Sequence, residues 1–136
     1  HAFDAYEATG ENVGTLSAFG DLLASLHPAR QAGAMEDVND EQRQTLLALM
    51  LRTRSGKQRL QAGMGSVISF AHKTGTQQRR SCDAGIAERT NAVMATQGPW
   101  VIATCTRGPE AVSAHERTLA RVGEALRYSG ALGKPW

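Results

Sequence analysis

Apolar residues recur at helical spacing from residue 16, where Leu16, Phe19, Leu22, Leu23 and Leu26 form one stripe behind Thr15, a good N-cap. Pro28 stops this helix, and the stretch to Val38 reads as connection. Asn39 followed three residues later by Gln42 spells a capping box, which predicts a second helix over 39–54 through Leu46, Leu47, Leu49, Met50 and Leu51. A further helical turn is expected at 57–61, before Gly63 and Gly65 break the chain. The period then shortens to 2. Residues 66–74 read as a strand with Val67, Ser69, Ala71 and Lys73 on one face and Ile68, Phe70 and His72 on the other. Polar residues 75–81 read as an exposed turn, and 84–94 as a second strand. In a third strand, 100–106, the run Val101, Ile102, Ala103 predicts burial on both faces. Pro109 suits the first position of a last helix, whose stripe of Val112, His115, Leu119, Val122 and Leu126 ends before Gly130. Residues 1–14 follow neither period and read as a loop.

This order predicts an α+β fold, in which short connections make the three strands an antiparallel sheet covered by helices. One helix after the strands leaves the other sheet face to the two early helices or to something outside this chain. The expected organisation is one domain in three parts, 1–14, 15–62 and 63–136. With 136 residues, 41% apolar, the chain has material for one domain or a piece of a larger one. Fifteen basic and 13 acidic residues leave a net charge of +2, and no Lys/Arg run exceeds two, so no nucleic-acid partner is expected. No stretch approaches the roughly 18 apolar residues of a membrane span. Cys82 and Cys105 could form one bridge or be two buried thiols, and the sequence leaves both open.

Chemistry concentrates at His72-Lys73-Thr74-Gly75-Thr76. A lysine at a strand end, a hydroxyl beside it and a glycine that admits close backbone approach make an anion-binding edge, and the following N–H groups can serve as oxyanion donors. His72 itself reads more simply as a strand histidine without a catalytic proton role. In this motif, and in the order of helices, Gly-rich approach, HKTGT strand, Asp83-Ala84-Gly85-Ile86, Pro99-Trp100-Val101-Ile102-Ala103 and terminal helix, the chain resembles the C-terminal portion of the penicillin-recognising serine hydrolases. Class A beta-lactamases are the nearest pattern.

The resemblance implies acyl-enzyme chemistry on an amide, lactam or peptide substrate bearing a carboxylate, with no cofactor and no metal. Lys73 would bind the carboxylate and polarise the network around the serine. Thr74 would hydrogen-bond that carboxylate, Gly75 would let the backbone approach, and Thr76 would supply an oxyanion-hole N–H. Tyr6, Glu7 and Asn12 resemble the omega loop, with Glu7 as deacylation base. Here the spacing is one residue longer than the family's Glu-x-x-Leu-Asn, and the loop onward to Thr15 is shorter. A remodelled loop of this kind implies a long-lived acyl-enzyme or transfer to an acceptor other than water.

No Ser-x-x-Lys and no Ser-Asp-Asn occurs in the chain, so its own residues supply no nucleophile of this type. The expectation is the C-terminal chain of a split or cleaved enzyme, opening at His1, whose companion N-terminal chain carries Ser-x-x-Lys. The alternative is a noncatalytic domain of the same fold that binds a ligand or protein. Secreted or periplasmic location follows from family habit alone, and the sequence leaves location open. Other constellations are weaker. The four histidines, His1, His27, His72 and His115, share no metal-ligand spacing. Ser113, His115 and Asp83 make a triad only on paper, with no Gly-x-Ser-x-Gly beside them. Gly63-x-Gly65 lacks the third glycine of a dinucleotide loop, and Arg79-Arg80 reads as a solvated turn or the rim of an anionic-substrate site.

Overall fold

A computed structural model describes residues 14–28, 38–90 and 98–133. Helix α1 spans Leu16–Leu26, where Thr15 Oγ1 accepts from the Ala18 N–H at 3.1 Å, and α2 spans Asp40–Leu51. The capping box at its start is closed in both directions, Gln42 N–H to Asn39 Oδ1 and Asn39 N–H to Gln42 Oε1, each 2.9 Å. Each bond satisfies a backbone donor that a helix start otherwise leaves orphaned. A short α3 follows at Leu60–Met64, then β1 (Ile68–Gln77), β2 (Arg80–Arg89), β3 (Trp100–Arg107) and α4 (Val112–Tyr128). The α+β expectation stands, with the strands antiparallel in the order β1-β2-β3.

Both sheet faces are covered. On one, Leu23, Leu26 and Met50 from α1 and α2 pack on Ala71, Ala84 and Ile86. On the other, Leu60 and Met64 from α3, with Val122 and Leu126 from α4, pack on Ile68, Phe70, Ala87 and Ile102. The early helices therefore serve the face that the last helix leaves open. α3 and α4 cross closely because both contribute glycine: a Cβ on Gly63 would lie 1.9 Å from the Ala120 carbonyl oxygen, and one on Gly123 would lie 2.3 Å from that of Leu60.

Several boundaries differ from the sequence pattern. The first hairpin closes at Gln77 opposite Arg80, so only Gln78 and Arg79 turn, and residues 75–77 and 80–81 belong to strands. The second strand is Arg80–Arg89 instead of 84–94; of that expectation, residues 91–94 lie outside the described ones. Ser81 and Asp83 mask its start, because these polar side chains point inward and are fully buried. Among the described residues β2, not β3, is the central strand, and Val101 on β3 is 37% exposed. α2 ends at Leu51, earlier than 54. α3 starts at Leu60, later than 57, behind Gly56 with φ 71° and Arg59 with φ −95° and ψ −133°. α4 starts at Val112 behind Ala111, which is extended at φ −63° and ψ 151°, so Pro109 precedes the helix.

The cysteines, left open by the sequence, form a disulfide. Cys82 and Cys105 are register partners on β2 and β3, with Cα atoms 4.0 Å apart. Among the described residues no helix is long and apolar enough to cross a membrane.

Candidate functional site

Lys73, Thr74, Gly75 and Thr76 all lie within β1, which has no strand on its far side among the described residues. Ladder geometry says where their backbone groups point. The Thr90 N–H donates to the Val67 carbonyl across the register pair, so odd-numbered residues of β1 face β2. Even-numbered residues, His72, Thr74 and Thr76, therefore direct N–H and C=O to the open edge. The hydrogen bond from Thr53 Oγ1 to the His72 carbonyl, 3.1 Å, agrees. An outward Thr76 N–H beside a glycine is the geometry an oxyanion donor needs.

Side chains alternate across the sheet. Lys73 extends over the α1 side, where its Nζ donates to the Thr74 carbonyl, and it is exposed. A cavity of about 290 Å³ lies there, bounded by Lys73, Gly75, Leu16, Phe19 and both cysteines. Its walls are apolar, and Lys73 is the cation among them. Thr74 is half-buried, and its Oγ1 is 3.0 Å from Ser55 Oγ.

Arg59, which sequence reasoning missed, joins this edge. Its guanidinium donates to the Gly75 carbonyl (3.1 Å), the Cys82 carbonyl (2.8 Å) and Thr76 Oγ1 (2.6 Å). The residue is 3% exposed, and its charge is balanced by Glu116 on α4, whose Oε1 accepts at 3.2 Å from Nη2 and also takes a bond from Gln58. Arg59 thus brings a paired, fixed cation to the side of β1 opposite Lys73. Only tertiary contacts distinguish it from the other arginines of the chain.

His72 faces away from Lys73. Its Nδ1 is 2.7 Å from Asp83 Oδ1, the ring stacks on Phe70 at 5.0 Å, and both members of the pair are buried. Asp83 Oδ2 and Ser81 Oγ have no partner among the described residues. His115 is buried on α4, its Nε2 4.0 Å from the Glu110 carboxylate and without a hydrogen-bond partner among the described residues, and Asp83 pairs with His72 instead of His115, so Ser113, His115 and Asp83 form no triad. Arg79 stands exposed at the hairpin turn, where its carbonyl accepts from the Gly108 N–H. Tyr6, Glu7 and Asn12 lie outside the described residues, as does His1.

A model described as the beta-lactamase enzyme family matches residues 2–128. The chain belongs to the beta-lactamase enzyme family. Solved structures agree on the fold. A beta lactamase from Burkholderia vietnamiensis superposes with a TM-score of 0.70 at 18% identity, over 88% of this chain and 40% of that one. One from Xanthomonas campestris pv. campestris gives 0.68 at 24% identity, over 84% and 40%. PBP-A, solved as an acyl-enzyme complex with penicillin G, gives 0.63 at 24% identity, over 81% and 37%. This beta-lactamase-family chain thus spans about two fifths of the length of those proteins. Comparison with curated proteins found no match.

Proposed function

We propose that this chain supplies the carboxylate-binding and oxyanion side of a serine acyl-enzyme site, acting on an amide or lactam that bears a carboxylate. The observation that carries the reading is the open edge of β1, where Thr76 turns its N–H outward between Lys73 on one face and the Arg59 guanidinium on the other. A substrate carboxylate would pair with Lys73 and accept from Thr74 Oγ1, while the developing oxyanion would accept from the Thr76 N–H; Arg59, whose donors go to Gly75, Cys82, Thr76 and Glu116, would hold this stretch of β1 in place. Gly75 keeps that approach clear of a side chain. The nucleophilic serine and its lysine come from a Ser-x-x-Lys outside residues 1–136, since none occurs within them. Residues 1–14 act as the omega-loop-like part, with Glu7 as deacylation base, ahead of a helical part, 15–62, and a strand and terminal-helix part, 63–136.

The test is the rate of penicillin acylation in the full-length protein. Lys73→Ala is expected to lower the second-order acylation rate by about 10²-fold, the scale seen when one pre-organised electrostatic contact is removed. Arg59→Ala should raise the penicillin concentration needed for half-maximal rate. Unchanged rates in both variants would overturn the assignment. The absence of Ser-x-x-Lys from these residues leaves a second reading, a noncatalytic domain that binds a ligand or protein, and saturable binding of penicillin without a covalent adduct would favour it.

A further inference from the structure

The disulfide touches the candidate site twice. Cys82 and Cys105 bound the cavity beside Lys73 and Gly75, and Cys82 also carries the carbonyl that Arg59 holds at 2.8 Å. Register makes the connection direct, because Gly75, Cys82 and Cys105 are consecutive partners across the three strands. A Cβ built on Gly75 would be 3.7 Å from that of Cys82, so the glycine rests on the bridge residue. The same guanidinium donates to Gly75 and to Thr76 Oγ1, which ties both residues to the backbone of Cys82. Access is uneven: Cys105 is exposed, whereas Cys82 is half-buried.

We propose that Cys82–Cys105 is a thiol–disulfide exchange site for a dithiol reductant, and that its reduction loosens the Arg59 anchorage and weakens the carboxylate-binding edge. A thiolate of the reductant attacks Sγ of Cys105, the more exposed of the two residues, forming a mixed disulfide and expelling Cys82 as thiolate, which takes up a proton. The second reductant thiol, deprotonated, then attacks its own sulfur in the mixed disulfide and expels Cys105 as thiolate, which is protonated in turn. In sum, two electrons and two protons pass to the protein, and the dithiol leaves as a cyclic disulfide. Two unbonded thiols need more room than a bonded pair, and the two Cα atoms are 4.0 Å apart. The reduced pair therefore separates, and the share of that movement taken up by Cys82 strains its carbonyl's bond to Arg59 while Glu116 keeps the other side of the guanidinium fixed.

This regulation rests on the proposed role of the β1 edge, but its first two readouts do not depend on penicillin. In the full-length native protein, graded dithiothreitol followed by alkylation and intact mass should label both cysteines while the fold persists. Amide hydrogen exchange should then quicken about tenfold or more at Gly75 and Cys82, register partners whose N–H groups lie within the β1–β2 ladder, with Leu119 in the α4 core unchanged. A Cys82→Ser/Cys105→Ser double variant, unable to bridge but still carrying an unbonded γ atom at each position, should show the same local exchange pattern without reductant. A bridge that resists dithiothreitol until global unfolding would overturn the proposal. So would exchange unchanged at these two amides, or quickened everywhere alike. Penicillin acylation, measured last, should slow on reduction. Complete lack of acylation in the oxidised protein would contradict the proposed function and leave the exchange result standing.

Discussion

Asp83 brings a carboxylate into a fully buried position on β2, where one oxygen is 2.7 Å from His72 Nδ1 and the other has no partner among the described residues. An unpartnered buried acceptor is costly, and the bond to His72 offsets part of that cost. Asp83→Ala, which leaves the His72 imidazole without its acceptor, is expected to cost about 1–3 kcal/mol, read as a lower urea midpoint at unchanged slope. A near-neutral midpoint would mean that the pair is worth no more than an apolar contact. At this scale the sequence was partly legible. Lys73, Thr74, Gly75 and Thr76 stand out because the motif is contiguous. Arg59 does not, because what makes it part of the site is contact with residues 16, 17, 23 and 57 positions away.

The starts of α1 and α2 were readable because capping is local: Thr15 and the Asn39–Gln42 box act within one turn, whereas α3 and α4, which have no side-chain cap, start later than their patterns predict. Asn39→Ala should lower stability by about 1 kcal/mol, measured as the shift in thermal midpoint. Strand limits were less readable, because pairing decides them: β1 and β2 run on through polar residues to a two-residue turn, since each supplies the other's ladder partners. That continuation makes 75–77 strand and gives Thr76 a defined N–H direction. Packing of α3 on α4 depends equally on a pairing no local pattern reveals, that of Gly63 with Gly123 across the helix crossing. Gly63→Ala must push a backbone carbonyl aside, and an overpacking cost of about 1–3 kcal/mol or more is expected in chemical denaturation.

At the scale of the molecule, apolar surface on several of the described helices and strands is covered by no described element. Phe19 and Leu22 on α1, Leu49 and Leu51 on α2, and Val101 on β3 are all more than one-third exposed. Together with the edge of β3, which no strand pairs among the described residues, such surface favours association with further protein. The chain, spanning about two fifths of the solved relatives, is proposed to work with the rest of a beta-lactamase-type domain, which supplies both that cover and the nucleophile. Intact-mass spectrometry of the full-length native protein before and after excess penicillin, with fragmentation to locate the adduct, tests this most directly. One penicillin on the serine of a Ser-x-x-Lys outside residues 1–136, formed more slowly with Lys73→Ala, is the result expected. A folded protein that gains no mass, or an adduct on a serine within residues 1–136, would contradict the account.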